Sequence, residues 1–378
     1  MIVASKITMN PKLQKLLSKP NLRIVTIVRD HMSGLLYAVP NLRILRQQFP
    51  GAHITLLANP YAMPILKGCP YVDEMLPFFQ FRQAEGPFAR AKGLLRKAQA
   101  WLKLVGRVDL VVHFRWTGPE TLLFCSTLGL PFQVGYNQDG LNQLLDLYVG
   151  REDLVNDSTR KRNARVIEAM GFPPFPMHME MWISREEANW AENFLQEHGY
   201  DPTQPIFAMH PGSHWGCNEW LPERWSALAN GLLAKYGGQV VLTGTEEERP
   251  LTETIARNIA GRVINAAGTT NLPQFAALLN RANLVISVDT APTQICQALN
   301  IPAVILMGAG NKTWTSQEPE QNIIILQDEE TADDEMTLCD FGAGTCHNSF
   351  CRSRLAGIQL RRVLHAAEKL LTEQAVLA

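Results

Sequence analysis

Ten short stretches of the chain are apolar without interruption. In the first half they are "LRIVTIV" (22–28), "HITLLA" (53–58), "DLVVHF" (109–114) and "FQVGY" (132–136). In the second half they are "PIFAMH" (205–210), "QVVLTG" (239–244), "RVINAAG" (262–268), "NLVISVD" (283–289), "PAVILMG" (302–308) and "NIIIL" (322–326). A strand with one wet face alternates apolar and polar residues. Continuous apolarity means that both faces are covered, as in a parallel sheet sandwiched between helices. The intervening segments have helical spacing. "LPERWSALANGLLAKYG" places Trp225, Leu228, Leu232 and Leu233 on one side and stops at Gly237–Gly238, and "LPQFAALLNRA" and "APTQICQALN" are similar. Strands alternating with helices predict an α/β fold of doubly wound units.

The chain has 378 residues, more than one core usually fills, so two such domains are expected. The joint falls near "MGFPPFPMHMEMWIS" (170–184), which is rich in proline and lacks periodicity. The predicted organisation is a first Rossmann-like domain over 1–175, a second over 176–353, and a C-terminal amphipathic helix over 354–378. In that helix Leu360, Val363, Leu364, Ala367 and Leu371 share one face.

Net charge is −1, so the molecule carries no field that would draw nucleic acid. No run is long and apolar enough for a membrane helix, and the first twenty residues lack a signal peptide's ordered regions. A cytoplasmic protein is expected. Four of the seven cysteines, Cys69, Cys125, Cys217 and Cys296, are scattered, as suits a reducing compartment. Cys339, Cys346 and Cys351 lie close together with His347. Free thiols are expected there, with a tetrahedral metal site or a disulfide as alternatives. The acidic stretch 327–336 is read as a solvated loop. Segment 81–107 interleaves Leu94, Leu95, Trp101, Leu102 and Val105 with Arg82, Arg90, Lys92, Arg96, Lys97, Lys103 and Arg107. It is either an ordinary helix with a solvated face or a contact for an anionic membrane or phosphorylated glycolipid.

Open α/β sheets bind ligands beyond the carboxyl ends of their strands, where helix N-termini attract anions. Three such edges stand out. "MHPGSHWGCNEW" sets Gly212 and Ser213 at a strand end, with backbone access and a hydroxyl for a phosphate. "LTGTEEE" turns at Gly244 and Thr245 and brings Glu246, Glu247 and Glu248, whose carboxylates suit ribose hydroxyls. "SVDTAPTQ" offers Thr290 as a cap and Pro292 as an early helical residue. Capping and dipole complementarity explain each edge singly. Three edges on one crevice point to a nucleoside-diphosphate ligand.

These residues resemble glycosyltransferase family 9, the ADP-heptose:lipopolysaccharide heptosyltransferase family. The match is carried by "MHPGSHWGCNEWLPERWSALA", "VVLTGTEEE", "NAAGTTNLPQFAALLNRANLVISVDTAPTQICQALNIPAVILMG" and, more weakly, by "IVRDHMSGLLYAVPNLRILRQQFPGAHITLLANPYAMPILKGCPYVDEML", "DLVVHFR" and "LGLPFQVGYN". The resemblance implies two Rossmann-like domains facing across a cleft (GT-B), with the donor in the C-terminal domain and the acceptor at the N-terminal one. It implies donor-binding roles for Ser213, Asn218, Glu248, Thr270, Asp289, Thr290, Ala291 and Gln294. The sequence departs from the family's pattern in four places. Ser33–Gly34 stands where the family has Gly-Asp, its proposed base. Asn218 replaces a phosphate-facing lysine, and Ala291 and Gln294 replace the glycine and histidine of "DTGPxH".

The resemblance implies inverting transfer of a sugar, by family a heptose, from a nucleoside diphosphate to a glycan or lipid-linked acceptor. Neither a cofactor nor a donor-site metal is expected, and peripheral contact with the inner membrane is an expected partner interaction. Two other readings stay open: a degenerate member that binds without turnover, and a sugar-nucleotide epimerase. Asp30 and His31, close to the missing aspartate, are the candidate bases, with His210 and His214 further possibilities. A general base contributes about 10²–10⁴-fold. Asp30→Asn is therefore expected to lower turnover by about that factor in a steady-state transfer assay, and unchanged turnover removes Asp30 from the chemistry.

Overall fold

The computed structural model describes residues 10–28, 31–78, 87–114, 118–136, 142–150, 157–213, 219–308, 322–327 and 355–377. The chain divides into two compact units, Met1–Trp182 and Ile183–Ala378.

The first unit runs α1 (Pro11–Leu17), β1 (Arg23–Val28), α2 (Met32–Gln48), β2 (His53–Ala58), β3 (Glu74–Pro77), α3 (Pro87–Leu104), β4 (Leu110–His113), α4 (Pro119–Ser126), β5 (Phe132–Tyr136), β6 (Leu147–Val149) and α5 (Thr159–Ala169). Its six strands lie in the order β3-β2-β1-β4-β5-β6, all parallel. Ile24, Val25, Ile27 and Val28 of β1 are all buried, which explains the unbroken apolar run. The order reverses beside β1, and α2 starts at the carboxyl end of that strand. The short edge strands β3 and β6 were not foreseen. β3 is mostly half-exposed and β6 has one exposed residue, so neither needs continuous apolarity.

The proline-rich stretch ahead of the unit boundary is held by two arginines, with Arg160 donating to the Met177 carbonyl at 3.4 Å and Arg43 making the larger set of bonds. Arg43, buried on α2, reaches Glu180 at 2.6 Å and the carbonyls of Pro176 and His178 at 2.6 and 3.3 Å. Tyr71 donates to the same carboxylate at 2.8 Å. These bonds replace the backbone pairing that a segment without helix or strand lacks.

The second unit runs α6 (Arg185–Glu197), β7 (Ile206–His210), α7 (Pro222–Tyr236), β8 (Gln239–Leu242), α8 (Arg249–Ala256), β9 (Val263–Asn265), α9 (Leu272–Leu279), β10 (Leu284–Val288), α10 (Ala291–Leu299), β11 (Ala303–Met307), β12 (Ile323–Gln327) and a C-terminal helix (Leu360–Leu377). The parallel order is β12-β11-β10-β7-β8-β9, reversing between β7 and β10. The C-terminal helix returns to this unit's core. Val363, Ala366, Ala367 and Leu370 are buried among residues of β7, β8, β10, β11 and α7.

Trp220 and Trp225 anchor that core edge-to-face, with ring centroids 5.3 Å apart. Trp220 Nε1 donates to the Ile358 carbonyl at 3.0 Å, and Arg224 donates to the carbonyls of Ala356 and Ile358. Trp220 therefore packs against α7 and ties the C-terminal segment down. Truncating a buried Trp costs about 3–5 kcal/mol. Trp220→Ala is expected to lower the melting temperature of the second unit by many degrees in calorimetry. A shift of under about 2 °C would contradict its place in the core.

Candidate active site

Strand register sets the site. Ser287 of β10 pairs with His210 of β7, and Met209 of β7 pairs with Leu242 of β8. The chain therefore leaves three neighbouring strands at one level, beside the point where the strand order reverses. That position is the ligand crevice of open α/β sheets.

The β10 exit carries Asp289, Thr290, Ala291 and Gln294. Thr290 occupies the cap position of α10, but its side chain makes no capping bond. Among the described residues its Oγ1 is buried without a hydrogen-bond partner. An unsatisfied buried hydroxyl costs about 1–3 kcal/mol. Pro292, the second helical residue, has no N–H, and Thr293 N–H donates to the Thr290 carbonyl at 3.1 Å. The Ala291 amide, first in the helix, has no partner within it. The helix tip thus presents a hydroxyl, an amide and the positive end of a dipole. Ala291 has helical backbone geometry, so the family's glycine is not required there for conformation. Gln294 is buried in the first turn.

Asp289 stands half-buried ahead of Thr290. Burial pushes its carboxyl up to about 6, partly offset by the Thr293 hydroxyl donating at 3.4 Å.

At the β7 exit, His210 is buried with its ring 5.5 Å from that of Phe275 on α9. Its Nδ1 lies 3.0 Å from Thr243 Oγ1, which lies 3.2 Å from the Met209 carbonyl. The Thr243 hydroxyl spends its one proton on the Met209 carbonyl, so its oxygen accepts from His210 Nδ1–H and the imidazole proton is assigned to Nδ1. Burial pushes this imidazole down to about 4, against a weaker upward pull from Glu248. His210 is a neutral, packed residue. Ser213, three residues on, is half-buried.

Glu248 joins the β7 and β8 exits. It accepts the Thr245 N–H at 2.7 Å, and its side chain presses on Gly212 so closely that a Cβ there would sit 2.2 Å from Cδ. Gly212 is therefore needed for close approach. At the β9 exit Gly268, with φ of 72°, abuts Glu246, which pairs with Arg249 at 3.1 Å. Arg249 also donates to the Ala267 carbonyl. Thr270 is half-buried next to Asn271, which caps α9 in a capping box with Gln274. The residues that sequence reading missed are Thr243 and Arg249. Each acts through a partner distant in the chain, and only Thr243, closing an apolar strand with a hydroxyl, left any signal.

His31 lies in the first unit, exposed at the start of α2 where β1 ends. Gly34 is buried and donates its N–H to the His31 carbonyl at 3.1 Å. Asp30, His214, Asn218 and the cluster Cys339, Cys346 and Cys351 lie outside the described residues. Among the described residues no group of three or more His, Cys, Asp or Glu could hold a metal. No described helix is long and apolar enough to cross a membrane.

Two doubly wound units, each a parallel six-stranded sheet, are the architecture of the GT-B fold. The family model of glycosyltransferase family 9 (heptosyltransferase) matches residues 133–342, and the chain belongs to that family. Lipopolysaccharide heptosyltransferase 3 of Escherichia coli K12 is 24% identical over 292 residues, covering 74% of this chain and 82% of the relative. A family 9 glycosyltransferase from Veillonella parvula superposes with a TM-score of 0.77 at 21% identity, covering 93% and 98% of the two chains. The ADP-heptose lipopolysaccharide heptosyltransferase II of E. coli gives 0.70 at 19% identity, covering 94% and 100%.

Asp289 generates a pH prediction. Its carboxyl ionises near 3.8 unfolded and near 6 folded, so its stabilising share is complete below pH 3.8 and lost as pH rises through 6. Asp289→Asn is expected to raise the melting temperature at pH 8 by roughly 2–4 °C and to leave it unchanged below pH 4. A loss of stability at pH 8 would contradict a desolvated carboxylate.

Proposed function

We propose that the chain transfers a heptose, with inversion, from a nucleoside-diphosphate donor to a glycan or lipid-linked acceptor of the lipopolysaccharide-core kind. Family membership supports the glycosyl transfer. The buried, unpartnered Thr290 hydroxyl at an uncapped helix start carries the donor assignment. The pyrophosphate accepts from Thr290 Oγ1 and the Ala291 amide, and the α10 dipole stabilises the charge that grows as the diphosphate leaves. Ser213 and Thr270 add hydroxyls at the neighbouring exits. Glu248, with one oxygen committed to Thr245 N–H, offers the other to ribose. Asp289 and Gln294 line the sugar side, and Asn218 belongs to the same loop as Ser213.

In the reaction the acceptor oxygen attacks the anomeric carbon as the bond from that carbon to the phosphate oxygen breaks. The acceptor's proton passes to a base, for which we propose Asp30 or His31. His31 is exposed at the carboxyl end of β1. Gly34, where the family has its aspartate, is a buried backbone donor without a carboxylate. We place the enzyme in the cytoplasm, in peripheral contact with the membrane that carries its acceptor.

A thermal-shift screen over ADP-, GDP- and UDP-sugars, followed by nucleotide release with and without acceptor, tests this reading. An ADP-heptose shift with acceptor-dependent ADP release is expected. Binding without release marks a degenerate member, and donor isomerised without acceptor marks an epimerase. Thr290→Val is expected to weaken donor affinity about tenfold by calorimetry, the scale of one hydrogen bond to a charged group. Unaltered affinity would remove the helix tip from the donor site.

A further inference from the structure

We propose that the amino-terminal edge of the first sheet holds a binding site for a small, soluble phosphate-bearing anion. A cavity of about 220 Å³ lies there, lined by Arg23, His53, Thr55, Glu74, Lys103 and Arg107 and by the buried Val25, Leu104 and Val108. Strand register builds it. Arg23 of β1 pairs with His53 of β2, Val25 with Thr55, and Thr55 with Glu74 of β3, so these five side chains stand on one face of the sheet. α3 packs on that face through Ala100 and Leu104, and its last turn and the residues after it bring Lys103, Arg107 and Val108. Arg23, His53 and Glu74 are the first residues of their strands. The cavity is therefore at the edge opposite to the carboxyl ends, where open sheets take their principal ligand.

Two unmet demands face this cavity. Three carboxylates stand at the edge, and each already holds a cation: Glu74 takes Lys103 at 2.5 Å, Asp73 takes Arg46 at 2.5 Å and Asp109 takes Lys19 at 2.7 Å. Among the described residues the guanidinium groups of Arg23 and Arg107 pair with no carboxylate. Arg107 follows the end of α3, where a cation offsets the helix dipole, but Arg23 opens a strand and has no such use. The second demand is a hydroxyl. Thr55 is 2% exposed, and its side chain makes no hydrogen bond among the described residues. A buried hydroxyl without a partner is costly, and a ligand oxygen satisfies it.

Charge and size select the occupant. Glu74 and Lys103 cancel, which leaves the two guanidinium charges of Arg23 and Arg107. A phosphate monoester carries about −1.5 to −2 at pH 7, and its oxygens match the planar fork of an arginine. The volume exceeds the roughly 10–15 Å³ that one water needs and falls short of the roughly 300–1,000 Å³ of drug-sized pockets. It suits a phosphate with a small organic group, whose apolar edge meets Val25, Leu104 and Val108.

The site is independent of the donor crevice, so its test needs no turnover. His53 lines the cavity and reports on it. Full-length protein labelled at its histidine rings is titrated with inorganic phosphate, with glycerol phosphate and with chloride at fixed ionic strength, and the His53 signals are assigned by His53→Gln. Saturable movement of the His53 signals is expected with both phosphates and not with chloride. Arg23→Gln/Arg107→Gln and Thr55→Val, each checked by its melting temperature, are expected to weaken that response at least about tenfold. Thr290→Val is expected to leave it unaltered, whatever the donor site proves to be. The proposal is overturned by His53 signals that stay still, by an equal response to chloride, by arginine and Thr55 variants that titrate like the parent, or by a response lost in Thr290→Val.

Discussion

The structure of the site depends on the parallel register of β8, β7 and β10. Because Met209, Leu242 and Ser287 are locked into one ladder, three loops leave the sheet side by side. Apolar burial on both faces holds these strands inside the sheet, and the backbone pairing sets their level. Everything polar in the crevice is then placed by a few local contacts. Glu248 braces the β7 exit against the β8 exit, Thr243 orients His210, and Asn271 starts α9.

Strong forces placed the elements that sequence reading could see. Each of the ten apolar runs contains a strand, because burial on two faces writes itself into consecutive residues. The strands it missed, β3 and β6, are the two outer strands of the first sheet, where one side has no neighbour and the burial demand falls. The three strand exits of the second unit were legible from glycine, hydroxyl and proline spacing. Their detail was not. Thr290 reads as a cap, yet its hydroxyl makes no capping bond. Glu248 reads as a ribose ligand, yet one of its oxygens already serves Thr245. Such facts depend on neighbours that the chain brings together only after folding.

The departures from the family's pattern divide in physical weight. Ala291 changes little, because position 291 is helical and needs no positive φ. Gln294 retains a hydrogen-bond donor where the family has a titratable ring. At the β10 and β7 exits, burial pushes the Asp289 carboxyl up and the His210 imidazole down. Their signs oppose each other. His210 loses stability as pH falls from 6.5 toward 4, while Asp289 loses it as pH rises through 6. Gly34 is the weightier change, since it offers no carboxylate where the family has one.

A crystal structure with an ADP-sugar bound tests the central claim most directly. The account predicts a pyrophosphate oxygen within about 3 Å of Thr290 Oγ1 and of the Ala291 amide, with Gly212 and Glu248 unmoved. A diphosphate seated elsewhere, with Thr290 Oγ1 still buried against protein alone, would contradict it.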